Sequence, residues 1–228
     1  MAHQVTVLRR VQHLLPLFIV SALPSVVSAQ TSDTVIPLSS TVVDLPMRFR
    51  GPEPAVEVMV NRQGPFLFAI DTGATDEARI DSSLLTRLGL RVSGSDRVGD
   101  GSGGTGLKVG TVRLNSIAIG ALEFRRVKAS IRNFNTVGLP HIDGLLTFDL
   151  FRDVLLTLDY PATRVRLEYG ELAKVDDAGI LRLKRVHGHP AVDISIGSER
   201  VTAEIDSGNV VAGFLFPDAL WEGQNRHP

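Results

Sequence analysis

A segment that occurs twice in the chain constrains the fold more than any other feature of the sequence. Residues 68–73 read Phe-Ala-Ile-Asp-Thr-Gly, and residues 203–208 read Ala-Glu-Ile-Asp-Ser-Gly. Each copy follows an alternating apolar run that begins at a proline, at 54–60 and 190–196. A turn has no reason to recur together with its upstream strand, whereas a duplicated structural unit does. The repeat therefore predicts two related β-hairpins, each leading to an aspartate.

The first copy joins an apolar run to an acid, a hydroxyl and a glycine. Residues 66–70 predict a short buried strand that ends at Asp71. A carboxylate at the end of a buried strand is costly unless it is hydrogen-bonded or has a function. Thr72 supplies a hydroxyl that can bond to backbone across the turn, and Gly73 lets the chain turn sharply and bring N–H groups near the carboxylate. Taken alone the triplet is equally typical of an ordinary β-turn, but its recurrence at Asp206 favours function.

These motifs resemble the pepsin and retropepsin aspartic proteases, especially bacterial exported retropepsin-like proteins. The form Asp-Thr-Gly-Ala at 71–74 is the retropepsin-like variant. Residues 142–150 resemble the strand that passes beneath the catalytic loop in such lobes, with Thr147 where the family carries a glycine. The resemblance covers most of residues 54–169, and residues 190–209 show only part of the family pattern.

The resemblance implies a mainly β fold, in which a closed acid-protease β-barrel lobe is followed by a partial second lobe. It also implies an aspartic endopeptidase that hydrolyses peptide bonds through an Asp-activated water, with a peptide or protein substrate and no cofactor or metal. Two adjacent carboxylates cannot both ionise, so one takes a proton from water while the other polarises the carbonyl. The candidate catalytic residues are Asp71 and Asp206, and the candidate loop-support residues are Thr72, Gly73, Ser207 and Gly208.

The carboxylate that completes a pair with Asp71 is open at this point. It is either Asp206 of the same chain or Asp71 of a second copy in a homodimer. After Asp206 only 228 − 206 = 22 residues remain, too few for a second flap and a second supporting strand. The expectation is an incomplete second lobe in a C-terminally truncated chain.

The N-terminal residues 1–29 are typical of a signal peptide. Arg9 and Arg10 form a basic region, the apolar run 11–27 follows, and residues 27–29 offer small side chains for cleavage. Two prolines interrupt the apolar run, which makes it a poor spanning helix. We therefore expect an exported chain, periplasmic or secreted, without a stable membrane span. A retained anchor is the alternative.

The remaining chain divides into three parts. Residues 30–50 form a leader that can add an edge strand, residues 51–170 form the first lobe, and residues 171–228 begin the incomplete second lobe. Within the first lobe, residues 81–90 predict a short capped helix. The glycine-rich run 98–110 corresponds in the family to a hairpin flap over the substrate, and a flexible linker is its alternative.

Composition excludes several other function classes. The formal net charge of −1 gives no reason to expect nucleic acid as a partner. The absence of cysteine rules out disulfides and thiolate chemistry. His187 and His189 have no third metal ligand at a recognisable spacing. Two alternatives to a protease stay open: a catalytically silent peptide-binding module and a structural β-domain derived from the same fold.

Overall fold

The computed structural model describes residues 5–7, 34–35, 42–74, 76–98, 106–135, 140–173 and 179–210. Within these residues the chain is mainly β, as predicted. Most of the predicted signal peptide, the centre of the predicted flap and the C-terminal residues 211–228 lie outside the described residues. No helix in the described part of the chain is long and apolar enough to cross a membrane.

The described residues form sixteen strands, one α-helix and one 3-10 helix. The strands are β1 (Val5–Val7), β2 (Thr34–Val35), β3 (Val43–Pro46), β4 (Arg48–Arg50), β5 (Glu53–Val60), β6 (Gln63–Asp71), β7 (Ala78–Asp81), β8 (Gly94–Val98), β9 (Leu107–Ile119), β10 (Leu122–Arg132), β11 (Gly144–Thr147), β12 (Leu155–Asp159), β13 (Arg164–Glu168), β14 (Lys184–Val186), β15 (His189–Ile196) and β16 (Glu199–Glu204). The helices are α1 (Ser83–Arg87) and the 3-10 helix Phe148–Phe151.

The largest sheet closes on itself, which confirms the predicted barrel. Its strands pair in the order β10, β7, β11, β6, β5 and β9, and β9 pairs again with β10 to complete the ring. A second sheet has the order β1-β12-β13-β3 and includes the edge strand expected in the leader, Val43–Pro46. The third sheet, β14-β15-β16, contains the second copy of the repeat.

The hairpin of β5 and β6 delivers Asp71 to the end of a buried strand, as predicted. Asn61 and Arg62 form its two-residue turn with φ values of 51° and 65°. Positive φ at both positions matches the right-handed twist of the paired strands. The predicted supporting strand is β11, which runs parallel to β6 with Thr147 opposite Asp71.

Two apolar clusters hold the barrel around this hairpin. The larger cluster fills the interior and includes Phe68, Phe124 and Phe151, each at most 1% exposed. The rings of Phe124 and Phe151 meet edge to face with centroids 6.0 Å apart. Burying one such side chain stabilises the fold by roughly 1.5–3 kcal/mol. A smaller cluster, which includes Ala69 and Leu145, covers the opposite face of β6 and β11.

The predicted helix at 81–90 is present but shorter. Helix α1 spans Ser83–Arg87, and Asp81 Oδ1 accepts a hydrogen bond from the Ser83 backbone N–H at 2.9 Å. Leu84 is its one fully buried side chain. Gly89, with φ of +62°, closes the helix because this left-handed conformation is cheap for glycine.

We predict that Gly144→Ala destabilises the barrel by at least about 2 kcal/mol, because overpacking a rigid site is costly. A Cβ at this position would lie 2.4 Å from the Arg79 carbonyl oxygen and 2.5 Å from Phe68 Cε1. Gly170→Ala is the matched control, since its Cβ would meet only Leu155 Cδ1, at 3.1 Å. Urea unfolding of both variants tests this, and equal stabilities would contradict it.

Candidate active site

The two repeated loops meet each other through a hydroxyl on each side. Thr72 Oγ1 donates to the Ile205 carbonyl oxygen at 2.7 Å and accepts from the Ser207 backbone N–H at 3.0 Å. In return, Ser207 Oγ donates to the Ile70 carbonyl oxygen at 2.6 Å and accepts from the Thr72 backbone N–H at 3.1 Å. A hydroxyl can donate and accept at once, which explains Thr and Ser at these two positions. We expected bonds within each loop, but the hydroxyls bond to the opposite loop.

The two glycines bring each carboxylate against the other loop. Gly73 N–H donates to Asp71 Oδ1 at 3.0 Å, and Gly208 N–H donates to Asp206 Oδ1 at 2.8 Å. A Cβ on Gly73 would lie 2.4 Å from Asp206 Cγ, and one on Gly208 would lie 2.5 Å from Asp71 Cγ. Neither glycine has a left-handed φ. Glycine is therefore needed here for space and not for the sharp turn that the sequence suggested.

Asp71 and Asp206 consequently share one site within a single chain. The pKa of the Asp71 carboxyl is raised from 3.8 to about 7, first by burial and then by the charge of Asp206 and a hydrogen bond to its side chain. The positive charge of Arg79 and the Gly73 N–H act in the opposite direction. Two acids in one partly buried site hold a proton between them at a pH where an isolated aspartate is ionised.

Comparison with known proteins finds a family match in the first lobe. Residues 56–150 match the family model described as Aspartyl protease. The first lobe is therefore similar to the aspartyl proteases over this span. The matched span includes the Asp71 loop and β11 but not the Asp206 loop.

Two solved structures are similar to parts of this chain. The first is a retropepsin-like aspartic protease from Rickettsia conorii, at 21% identity, with 59% of this chain and 97% of that chain covered and a TM-score of 0.42. The second is Basic 7S globulin from soybean, at 13% identity, with 57% of this chain and 43% of that chain covered and a TM-score of 0.31. No curated protein matches the chain.

Arg79 is a charged neighbour of the Asp71–Asp206 pair that the sequence analysis missed. Asp76 binds Arg79 Nε through both carboxylate oxygens, at 2.9 and 3.2 Å, and Ser130 Oγ donates to Asp76 at 2.6 Å. The Arg79 side chain is only 12% exposed. These bonds fix a positive charge close enough to oppose the rise in the pKa of Asp71. The Asp-x-x-Arg spacing just after the first motif was the available signal.

Asp143 begins the predicted supporting motif, but the contacts of its side chain were not predicted. Its carboxylate accepts from the Leu67 backbone N–H at 2.9 Å and from Arg87 Nη1 at 2.7 Å, and His141 Nε2 lies 3.2 Å away. The Arg87 guanidinium also lies over the Phe66 ring, 4.8 Å from its centroid. The buried carboxylate thereby anchors the strand that supports the Asp71 loop. No spacing rule links residues so far apart in sequence.

Thr147 stands where the family carries glycine, and the barrel accommodates its side chain. It lies opposite Asp71 in the strand register and is fully buried. Its backbone N–H donates to the Glu77 carbonyl oxygen at 3.4 Å. Among the described residues, Thr147 Oγ1 has no hydrogen-bond partner. An unpaired buried hydroxyl costs stability.

The arms of the predicted flap are paired strands. β8 and β9 run antiparallel from Gly94 opposite Thr111 to Val98 opposite Leu107. This pairing favours a hairpin over a flexible linker for the arms. The tip, residues 99–105, lies outside the described residues.

His187 and His189 lie in and beside the β14–β15 turn. In the described part of the chain, no three His, Cys, Asp or Glu side chains are grouped to hold a metal ion.

We predict that Asp71 makes the folded chain lose stability as the pH rises from about 4 to about 7. In this range the folded chain keeps a proton on Asp71 that the unfolded chain releases, so the free energy of unfolding falls with increasing pH. Asp71→Asn should remove this dependence, with a difference on the order of a few kcal/mol across the range. Chemical unfolding at both pH values measures it.

Asp153→Asn is the control for this measurement, because the Asp153 side chain is 56% exposed. It should keep the pH dependence of the wild type. If the wild type and Asp71→Asn have the same dependence, the raised pKa of Asp71 is wrong.

We predict opposite effects for two buried threonines that are changed to valine. Thr147→Val should raise stability by about 1 kcal/mol, because it removes an unpaired buried hydroxyl. Thr72→Val should lower stability by about 1–3 kcal/mol, because it leaves the Ile205 carbonyl and the Ser207 N–H without their partner. Thermal and urea unfolding compare the two, and a destabilised Thr147→Val would show that its hydroxyl has a partner.

Proposed function

We propose that this chain is an aspartic endopeptidase that hydrolyses peptide bonds with a water activated between Asp71 and Asp206. The observation that carries the proposal is the reciprocal fit of the two loops, in which each glycine leaves room for the opposite carboxylate. The match of residues 56–150 to the aspartyl protease family model supports a peptide or protein as substrate. The proposed support residues are Thr72, Gly73, Ser207 and Gly208, whose contacts hold the carboxylates together.

The shared proton gives each carboxylate a separate role in the first step. Asp71 has the raised pKa and holds the proton, and Asp206 serves as the base. Asp206 takes a proton from the water as the water oxygen attacks the peptide carbonyl carbon. The carbonyl oxygen accepts the Asp71 proton as its π electrons move to it. The product is a neutral tetrahedral diol, and the pair now holds its proton on Asp206.

The second step reverses the roles of the two acids. Asp206 gives its proton to the peptide nitrogen while the carbon–nitrogen bond breaks and its electron pair stays on nitrogen. Asp71 takes back a proton from one hydroxyl of the diol as the carboxylic acid forms. The pair returns to its starting state with one proton on Asp71. The dyad reaction therefore needs no metal and no covalent intermediate.

We propose that the dyad forms within one chain, which favours Asp206 over Asp71 of a second copy. The four hydrogen bonds between the loops support this choice, since all of them join residues of the same chain. A homodimer is then unnecessary for the pair to form. We also propose that the β8–β9 hairpin acts as a flap over the bound peptide.

We also propose the domain limits and export that the sequence suggests. The limits are a signal peptide at 1–29, a leader at 30–50, the first lobe at 51–170 and the second lobe from 171. The basic residues Arg9 and Arg10 before an apolar run support export to the periplasm or beyond.

Substitution of either aspartate tests the proposed chemistry. We predict that Asp71→Asn and Asp206→Asn each lower kcat by about 10²–10⁴-fold, because each removes an acid or base while keeping the side-chain shape. Cleavage of a denatured protein at about pH 4, where the pair retains its proton, is the assay. Asp153→Asn is the matched control and should keep full activity, since this carboxyl is exposed on the first lobe.

Inhibitors separate the proposal from its alternatives. A statine-type mimic of the tetrahedral diol should block cleavage, while a metal chelator should not. Tight binding of that mimic without any cleavage would identify a silent peptide-binding module. Neither binding nor cleavage would identify a structural β-domain. Full activity of both asparagine variants would show that another site acts.

A further inference from the structure

Arg185 joins the second copy of the repeat to the first lobe at a point close to the dyad. It lies on β14, and its guanidinium pairs with the Asp149 carboxylate. The same guanidinium lies over the Phe148 ring, 5.2 Å from its centroid. Asp149 and Phe148 belong to the 3-10 helix Phe148–Phe151, so this contact crosses from the third sheet to the barrel.

On the barrel side, Arg185 contacts Phe148, the residue that follows the strand supporting the Asp71 loop. Phe148 follows Thr147, which lies opposite Asp71 in β11. The Phe148 backbone N–H donates to the Ala74 carbonyl oxygen at 3.3 Å. The ring is 6% exposed and packs in the main core. The surface on which Arg185 lies is therefore rigidly connected to the loop that carries Asp71.

On the other side, the contact reaches the residue before Asp206. In the register of β14 and β15, Arg185 lies directly opposite Pro190. The Pro190 carbonyl oxygen accepts from the Ile205 backbone N–H at 2.7 Å. Ile205 is followed by Asp206, and its own carbonyl accepts from Thr72. Arg185 thus contacts Phe148, which binds the Asp71 loop, and lies opposite Pro190, which binds the residue before Asp206.

We propose that Arg185 is a positioning residue, whose contact with Asp149 and Phe148 holds the Asp206 hairpin against the barrel at the separation that the dyad requires. The inference rests on the proposed function, because it assigns Arg185 a part in that same site. A planar guanidinium can stack on a ring and bind a carboxylate at once, which a lysine ammonium cannot do equally well.

The contact acts on geometry more than on global stability. The Arg185 and Asp149 side chains are 45% and 27% exposed, and partly exposed ion pairs add little to stability. The barrel has its own buried core, and Arg185 is not part of it. Small displacements of a catalytic group, by contrast, lower rates strongly.

The test compares Arg185→Gln and Arg185→Lys with Arg182→Gln in the full chain. Arg182 is an exposed arginine three residues upstream and is the matched control. We expect Arg185→Gln to lower kcat by about 10–100-fold with little change in KM, because the catalytic pair is displaced while peptide contacts are kept. Arg185→Lys should recover part of this loss, and Arg182→Gln should match the wild type.

A double-mutant cycle tests whether Arg185 acts through Asp149. Asp149→Asn should also lower kcat, and the double variant should be no worse than Arg185→Gln alone, because both changes break one contact. Fully additive losses would show that the two residues act independently and would overturn the proposal.

Direct titration of Asp71 by NMR separates failure of this inference from failure of the proposed function. Arg185→Gln should lower the pKa of Asp71 from about 7, since Asp206 would move away and burial would decrease. Arg182→Gln should leave it unchanged. If the wild type cleaves no peptide, the proposed function fails, and the titration still tests the inference. If Arg185→Gln leaves the pKa of Asp71 unchanged, Arg185 does not position the pair.

Discussion

The site depends on reciprocal hydrogen bonds that the hydroxyl of each loop forms with the backbone of the other loop. Thr72 and Ser207 each donate to a carbonyl of the opposite loop and accept an N–H from it. Thr72 is 1% exposed, so its bonds are sheltered from water and leaving one unmade would be costly. These hydrogen bonds fix the distance between the loops, and the loops in turn fix the distance between the carboxylates. Without them, two acids that repel each other when ionised would have no reason to stay together.

The barrel offsets the cost of this arrangement through several polar contacts around it. Burial and the charge of Asp206 both disfavour ionised Asp71, while Gly73 N–H and the charge of Arg79 favour it. Arg79 is itself neutralised by Asp76, which Ser130 holds in place. The net result is a pKa of about 7 for Asp71. A proton held in this range is the property that acid–base chemistry with two carboxylates requires.

The sequence predicted the elements of the fold well, because each has a local pattern. Alternating apolar residues and the turn at Asn61 specify the β5–β6 hairpin, and the repeat made Asp206 one of two candidate partners for Asp71. Arg79, which was missed, lies only three positions from Asp76, but two other contacts act over long separations. Asp143 bonds to Leu67 across 76 positions, and Arg185 pairs with Asp149 across 36, so no periodicity relates them. The sequence also could not show why residue 73 must be glycine, because the side chain that leaves no room for a Cβ there belongs to Asp206.

The placement of β11 has a consequence for the order in which the chain assembles. β6 and β7 are consecutive in sequence, yet in the barrel β11 lies between them and pairs with both. A hairpin of β5 and β6 can form from local contacts alone, but the gap beside it stays open until a strand from much later in the chain arrives. Contacts of such long sequence separation form slowly because the intervening chain must first be ordered. The Asp71 loop therefore acquires its final support late in folding, after most of the barrel that surrounds it has been synthesised and paired.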